Sequence, residues 1–168
     1  MTHEQLSSDV SEYHRTIYRL AFSCMGNHFD AEDVVQDTFL RLYQYKKPFS
    51  DEEHKKAFLL RVASNLCKDL RKSAWFRKRA PLEETIPADA CYNTDKSENV
   101  LRDYIMLLKP NYRTVVFLFY YEGYSITDIA KILKMSETAV TTRLNRARSQ
   151  LKKELADNKE ELIYEYVH

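Results

Sequence analysis

Two glycines, Gly26 and Gly123, are all that this 168-residue chain contains. Glycine lets a backbone enter the left-handed region cheaply and lets a ligand approach main-chain amides. Tight primed hairpins, P-loops and dinucleotide-binding turns all need glycines at close, fixed spacing. With Gly26 and Gly123 so far apart, neither a P-loop nor a G-x-G-x-x-G motif can be written. Leu, Ala, Glu, Lys and Arg are abundant instead, so the chain is expected to be all-α.

Hydrophobic periodicity divides it. Val10, Tyr13, Ile17, Leu20, Ala21 and Cys24 keep helical spacing and predict a first helix over about Asp9–Met25, closed by Gly26-Asn27. Asp30 is a candidate N-cap for a second helix whose inner stripe is Val34 or Val35, Thr38, Phe39 and Leu42. A loop containing Pro48 separates it from a long third helix over about Glu53–Trp75, with Phe58, Leu59, Val62, Leu66 and Leu70 facing inward. From Pro81 to Asp95 the period disappears in an acidic, proline-bearing stretch that reads as a flexible linker. Ser97 then caps a helix over Glu98–Leu108, and Pro110 opens another that ends at Gly123. Ser125 and Asp128 have the form of a capping box before a short helix bearing Ile126, Ile129, Ala130 and Leu133. After a turn at Lys134-Met135, Ser136 caps a last helix with Val140, Leu144, Ala147, Leu151 and Leu155 inside. The fold expected is two small helical domains, 1–79 and 97–157, with a linker 80–96 and a tail 158–168.

The net charge of +1 conceals segregation. Asp30, Glu32, Asp33 and Asp37 form an acidic run. Lys55, Lys56, Arg61, Lys68, Arg71, Lys72, Arg77, Lys78 and Arg79 follow, with Asp69 the one acid among them. Arg143, Arg146, Arg148, Lys152 and Lys153 form a second basic block. One such run is commonly a solvated helix face, but two basic blocks flanking an acidic spacer point to two contacts with a polyanion. Cys24, Cys67 and Cys91 offer no C-x-x-C pair and read as reduced thiols, and the five histidines show no zinc spacing, so neither a metal nor a cofactor is expected. The longest apolar run, Val115–Tyr121, is too short to span a membrane. A cytoplasmic protein without membrane insertion is the expectation.

The segment from Ser125 to Leu151 is the strongest signal. Two helices meet at a very short turn, and Ala130 is small where they cross. The second is apolar on one side and polar on the other, as in a helix-turn-helix. Ser136, Glu137, Thr138, Thr141 and Thr142 sit where base edges would be met, while Arg143, Arg146 and Arg148 suit phosphates. The competing reading is a helical hairpin with a wet face.

From Leu108-Lys109-Pro110 through Glu122-Gly123, Ile129-Ala130 and Val140-x-x-Arg143-Leu144-x-Arg146-Ala147-Arg148, the chain resembles region four of extracytoplasmic-function (ECF) sigma factors. That resemblance implies contact with a promoter's −35 element and with the flap of the polymerase β subunit. Lys134 stands where the family carries glycine, Asp128 where it carries Glu, and Ala139 where it carries Thr. Asp30-Ala31-Glu32-Asp33-Val34-Val35-Gln36-Asp37-Thr38-Phe39-Leu40-Arg41 resembles region 2.2, which implies that Asp33, Gln36, Asp37 and Arg41 grip the coiled coil of the β′ subunit. By residue chemistry alone the acids read first as a helix start, with a cation site as the alternative.

The run Phe58–Lys72 resembles regions 2.3 and 2.4, with Phe58 in place of the family's Trp. The resemblance implies that Phe49 and Asn65 form a pocket for a flipped −10 base. Lys55, Lys56, Arg61, Lys68, Arg71 and Lys72 supply the basic surface, and Trp75 and Phe76 are either stacking platforms or packed helix-end aromatics. The family also implies an anti-sigma factor as partner. The chain is expected to be no enzyme, lacking a nucleophile with a base or a convergent carboxylate site. A free-standing helix-turn-helix regulator would explain only its C-terminal half, and a small nuclease would need a convergent carboxylate or His site that the sequence does not offer.

Overall fold

The structure, a computed structural model, describes residues 1–73 and 103–158. Its contacts divide the chain into two units, Met1–Pro87 and Ala88–His168. Trp75, Phe76, the stretch Pro81–Asp95, the Ser97 cap, Cys91 and the tail beyond 158 lie outside the described residues.

The first unit is three helices packed pairwise: α1 (His3–Met25), α2 (His28–Gln44) and α3 (Glu52–Lys72). Helix α1 starts at His3 rather than Asp9 because Thr2 and Gln5 close a full capping box. The Gln5 amide donates to Thr2 Oγ1 at 3.2 Å, and the Thr2 amide to Gln5 Oε1 at 2.8 Å. Apolar periodicity cannot see this first polar turn. Gly26, at φ 78°, closes the helix with its amide on the Phe22 carbonyl. The N-cap of α2 is Asn27, not Asp30: Asn27 Oδ1 takes the Asp30 amide at 2.9 Å. Asp30 instead sits buried in the first turn, accepting from Asn27 Nδ2 at 2.5 Å. Helix α3 begins on an Asp51 cap and stops at Ser73, whose hydroxyl donates to the Leu70 carbonyl at 2.8 Å.

The inner line of α3 is also displaced from expectation. Leu59, Leu60, Ala63 and Cys67 are buried, while Phe58, Val62, Leu66 and Leu70 are half-buried flanks. Ala63 and Cys67 are small, so the helix axis can approach its neighbours there, and the larger residues spread to either side. Together with Ile17, Leu20, Val34, Val35, Thr38, Phe39 and Leu42 they form the core. Each large aliphatic chain so buried contributes about 1.5–3 kcal/mol.

In the second unit residues 103–107 are helical, and α4 (Pro110–Val116) runs directly into a π-helical turn, Phe117–Tyr121. Helix α5 (Ile126–Leu133) and helix α6 (Glu137–Asn158) follow, with both α4 and α5 packed on α6. Arg113 ties the first segment to α4, its Nε on the Leu108 carbonyl and its Nη2 on the Met106 carbonyl, each at 2.7 Å. Gly123, at φ 70°, ends the π-turn. At α5 the Ser125 hydroxyl accepts the Asp128 amide at 3.1 Å, as expected. The Asp128 carboxylate, however, takes that same hydroxyl at 2.9 Å, which departs from the expected reach back to the backbone. Val140, Leu144, Ala147, Leu151 and Leu155 are buried along α6.

Candidate functional sites

The first site lies on α2. Asp33, Gln36, Asp37 and Arg41 are all exposed at three-to-four-residue spacing, which puts them on one face. They line a groove of about 350 Å³ together with Val34 and with Leu66, Asp69 and Leu70 of α3. Three carboxylates at the rim and leucines in the floor suit a basic side chain that presents its apolar stem as well as its charge. Asp69, the one acid of its basic block, carried no sequence signal for a place on this rim because it comes from another helix. Leu40 and Tyr43, 52% and 47% exposed, lie near the same helix's end. Being out of phase with the Val35, Phe39 and Leu42 stripe, they were detectable from spacing.

The second site is α3 and the loop before it. Arg61, Asn65, Lys68 and Lys72 recur at intervals of four, three and four residues, so they share one side of the helix. Asn65, Lys68 and Lys72 are exposed; Lys56, Arg61 and Arg71 are half-buried. Trp75 lies outside the described residues. Phe49 packs into an aromatic cluster: its ring centroid is 5.0 Å from Tyr45, 5.3 Å from Phe58 and 5.4 Å from His54. Lys46 and Lys47, exposed at the tip of this loop, add positive charge beside Phe49.

Lys55 differs from the other bases of α3. Its ammonium donates to Asp9 Oδ1 at 2.9 Å and to Glu52 Oε1 at 3.2 Å, and its side chain is 16% exposed. Tyr13 Oη completes the group by donating to Glu52 Oε2 at 2.8 Å. Burial works against the Lys55 charge, but the bonds to Asp9 and Glu52 outweigh it and raise its pKa. Bonds from Tyr13 and Lys55 hold Glu52 below the ordinary carboxylate range. Burial, then the Glu52 carboxylate, push the Tyr13 phenol upward. Deeper in the unit Cys24 and Cys67 are both buried thiols. The Cys67 thiol is raised by its hydrogen bond with Cys24 and by burial, which keeps it protonated and inert.

The third site is the helix-turn-helix. Lys134 takes the glycine conformation, φ 52° and ψ 54°, and its amide returns to the Ala130 carbonyl. This turns the chain sharply enough for Ser136 to cap α6, its hydroxyl accepting the Ala139 amide at 3.1 Å. Ser136, Glu137, Thr138, Thr141 and Arg146 are exposed on α6, and Thr142, Arg143 and Arg148 half-buried. Thr141 donates its hydroxyl proton to the Glu137 carbonyl at 3.0 Å, so it faces outward with a methyl and lone pairs. Arg148 is held by its own domain: Nε meets Tyr120 Oη at 2.8 Å, Nη1 meets Asn145 Oδ1 at 3.1 Å, and the guanidinium lies 5.7 Å from the Phe119 and Tyr120 ring centroids. Both aromatics belong to the π-turn, for which sequence periodicity carries no signal.

A unit with an acid-rimmed groove beside a basic helix, and a second unit built on a helix-turn-helix, have the form of a bipartite DNA-binding protein. Residues 10–77 match Sigma-70 region 2, and residues 98–151 match Sigma-70, region 4. The chain is 30% identical to the ECF RNA polymerase sigma factor SigW of Bacillus subtilis, over 88% of this chain and 87% of that protein. It is 32% identical to the ECF RNA polymerase sigma factor SigM of Mycobacterium tuberculosis, over 83% of this chain and 71% of that protein. The sigma factor RpoE, solved in complex with the anti-sigma factor NepR from Bartonella quintana, shares the fold at TM-score 0.67 and 20% identity, covering 91% of this chain and 98% of that one. CnrH, solved with the cytosolic domain of CnrY, shares it at TM-score 0.62 and 23% identity, covering 93% and 90%. The chain belongs to the ECF family of RNA polymerase sigma factors. Such proteins are not enzymes in the catalytic sense. Among the described residues no helix is long and apolar enough to cross a membrane, and no three His, Cys, Asp or Glu side chains gather as a metal site.

Proposed function

We propose that this chain brings core RNA polymerase to promoter DNA through four contacts and helps open the −10 element. The α2 groove, with Asp33, Gln36, Asp37 and Arg41, docks on the coiled coil of the β′ subunit. The exposed start of α6, Ser136, Glu137, Thr138, Thr141 and Thr142, reads the −35 element while Arg143 and Arg146 meet phosphates, and the second domain also touches the β flap. The side of α3 that carries Arg61, Asn65, Lys68 and Lys72 holds the opened −10 strand. Lys56, Arg71 and Trp75 extend that surface, and Phe49 shapes the pocket for one flipped base. Flipping costs a few kcal/mol, which pocket contacts must offset. Each contact alone is weak, and tethering them through one polymerase raises their effective concentration. The chemistry of RNA synthesis stays with the polymerase, and the protein works in the cytoplasm at the nucleoid. Its domains run 1–79 and 97–157, joined by a linker at 80–96.

The observation that carries this reading is the α2–α3 pair. An acid-rimmed groove and a basic helix side sit on adjacent helices of one small unit, and a free-standing repressor would have no use for the first. The solved relatives are complexes with an anti-sigma factor in one case and with a cytosolic domain of another protein in the other. We extend the proposal to an anti-sigma partner that covers the Asp33–Asp37 face.

The test is capture of purified core polymerase by the wild-type chain beside a Gln36→Ala/Asp37→Lys double variant. Wild type is expected to bind and the double variant to lose binding. No binding by wild type to its host's polymerase would overturn the reading.

A further inference from the structure

The loop between α2 and α3 is held at its ends and open beneath. Its N-terminal end is gripped by Tyr45, whose ring lies 4.5 Å from Phe58. At the other end Ser50 and Asp51 cap α3, with the His54 amide on Asp51 Oδ1 at 2.7 Å and the Ser50 amide on His54 Nδ1 at 3.2 Å. Below the loop lies a cavity of about 580 Å³, with Tyr45 to Phe49 on one wall and Asp9, Glu52 and Lys55 on another. The Asp9–Lys55–Glu52–Tyr13 group therefore sits directly behind the loop and ties the first turn of α3 to α1. Asp9 is 6% exposed and Tyr13 5%.

We infer that these four residues form a positioning device, holding the first turn of α3 and with it loop 45–51 in the shape that receives the opened strand. Lys55 then acts through the loop and touches no DNA. Its charge is already matched by two carboxylates, the buried Asp9 of α1 and the exposed Glu52 one turn back on α3. A phosphate would have to compete with two carboxylates within 3.2 Å for one ammonium. The inference rests on the sigma-factor reading and adds to it residues of α1 that lie outside every DNA-facing surface described above.

The two roles for Lys55 predict opposite signs. If Lys55 met phosphate, Asp9→Asn would release its charge toward DNA and strengthen binding of a −10 single strand. If Lys55 positions the loop, Asp9→Asn and Tyr13→Phe both loosen the first turn of α3 and weaken capture. Full-length variants would be assembled with core polymerase on a promoter carrying 2-aminopurine beside the flipped position, with core affinity and thermal melting measured in parallel. Expected is a loss of roughly tenfold in the opened fraction, the weight of one charge-assisted hydrogen bond, with core affinity unchanged. Tyr13→Phe removes one hydroxyl without leaving an unpaired charge, so it keeps the test alive should Asp9→Asn melt early. Opening by both variants at the wild-type level, or tighter single-strand binding by Asp9→Asn, would overturn the inference alone. Failure of the wild-type chain to open the promoter with core would instead remove the reading beneath it.

Discussion

The two units solve the same problem, a small three-to-four-helix core, with opposite attitudes to polar groups. The first buries Asp9, Ser23, Asp30 and Thr38 among its hydrocarbons, and pairs Lys55 between two helices. The second, among the described residues, buries only Thr114 and keeps its charges at the rim, with Arg148 laid over aromatic rings. Buried hydrocarbon is insensitive to pH and salt, whereas a paired charge holds only while both partners are ionised. The units should therefore fail under different insults. The largest expected effect is in the second: Leu144, 1% exposed at the centre of the α6 stripe, should cost about 4 kcal/mol when cut to Ala, by lost transfer energy plus the cavity left behind. Hydrogen exchange at α6 amides measures this, and the loss should be the same at low and high salt.

Lys55→Ala is the matching cut in the first unit. It leaves Asp9 buried without its cation, at a cost of about 3 kcal/mol. The same network sets a pH window. Glu52 has a lowered folded-state pKa, so its contribution is complete above its ordinary 4.5 and drains as pH falls through the folded value. Lys55 and Tyr13 have raised values, so theirs are complete below the ordinary 10.5 and 10.0 and drain as pH rises toward and through the folded ones. Exchange protection of α1 and α3 should fall at both extremes of pH in the wild type, and that two-sided loss should be blunted in Lys55→Ala. Equal pH sensitivity in the two units would dissolve the contrast between them.

What could be read in advance followed the same division. Along α6 the apolar spacing from Val140 to Leu155 is regular, the core is hydrocarbon, and the predicted inner stripe is the observed one. In the first unit the helices were legible, but their starts at His3 and His28 and the inner line of α3 were not, because capping side chains and the small Ala63 and Cys67 decide them. The four α2 residues named from resemblance do share one groove, while the Asp69 that completes its rim comes from another helix. Lys55 shows the limit most sharply. In the sequence it is one more base in a basic run, and only the approach of α1 makes it an internal cation.

Lys134 supplies the smallest effect and the finest test of the helix-turn-helix. It is the one non-glycine residue with positive φ among those described, and it stands in the turn on which the angle between α5 and α6 depends. A side chain in that conformation costs roughly 1–2 kcal/mol, of which about half returns as the lower chain entropy of a non-glycine unfolded state. Lys134→Gly should therefore stabilise the second unit by about 0.5–1 kcal/mol and leave the first untouched, a shift readable in the exchange of α5 and α6 amides. If the turn is preformed and merely strained, affinity for a −35 duplex should change only by the lost positive charge, a term that high salt removes. If the strain instead keeps α6 at a working angle, Lys134→Gly should gain stability and lose duplex affinity at every salt concentration. The strain would then belong to recognition and not to folding.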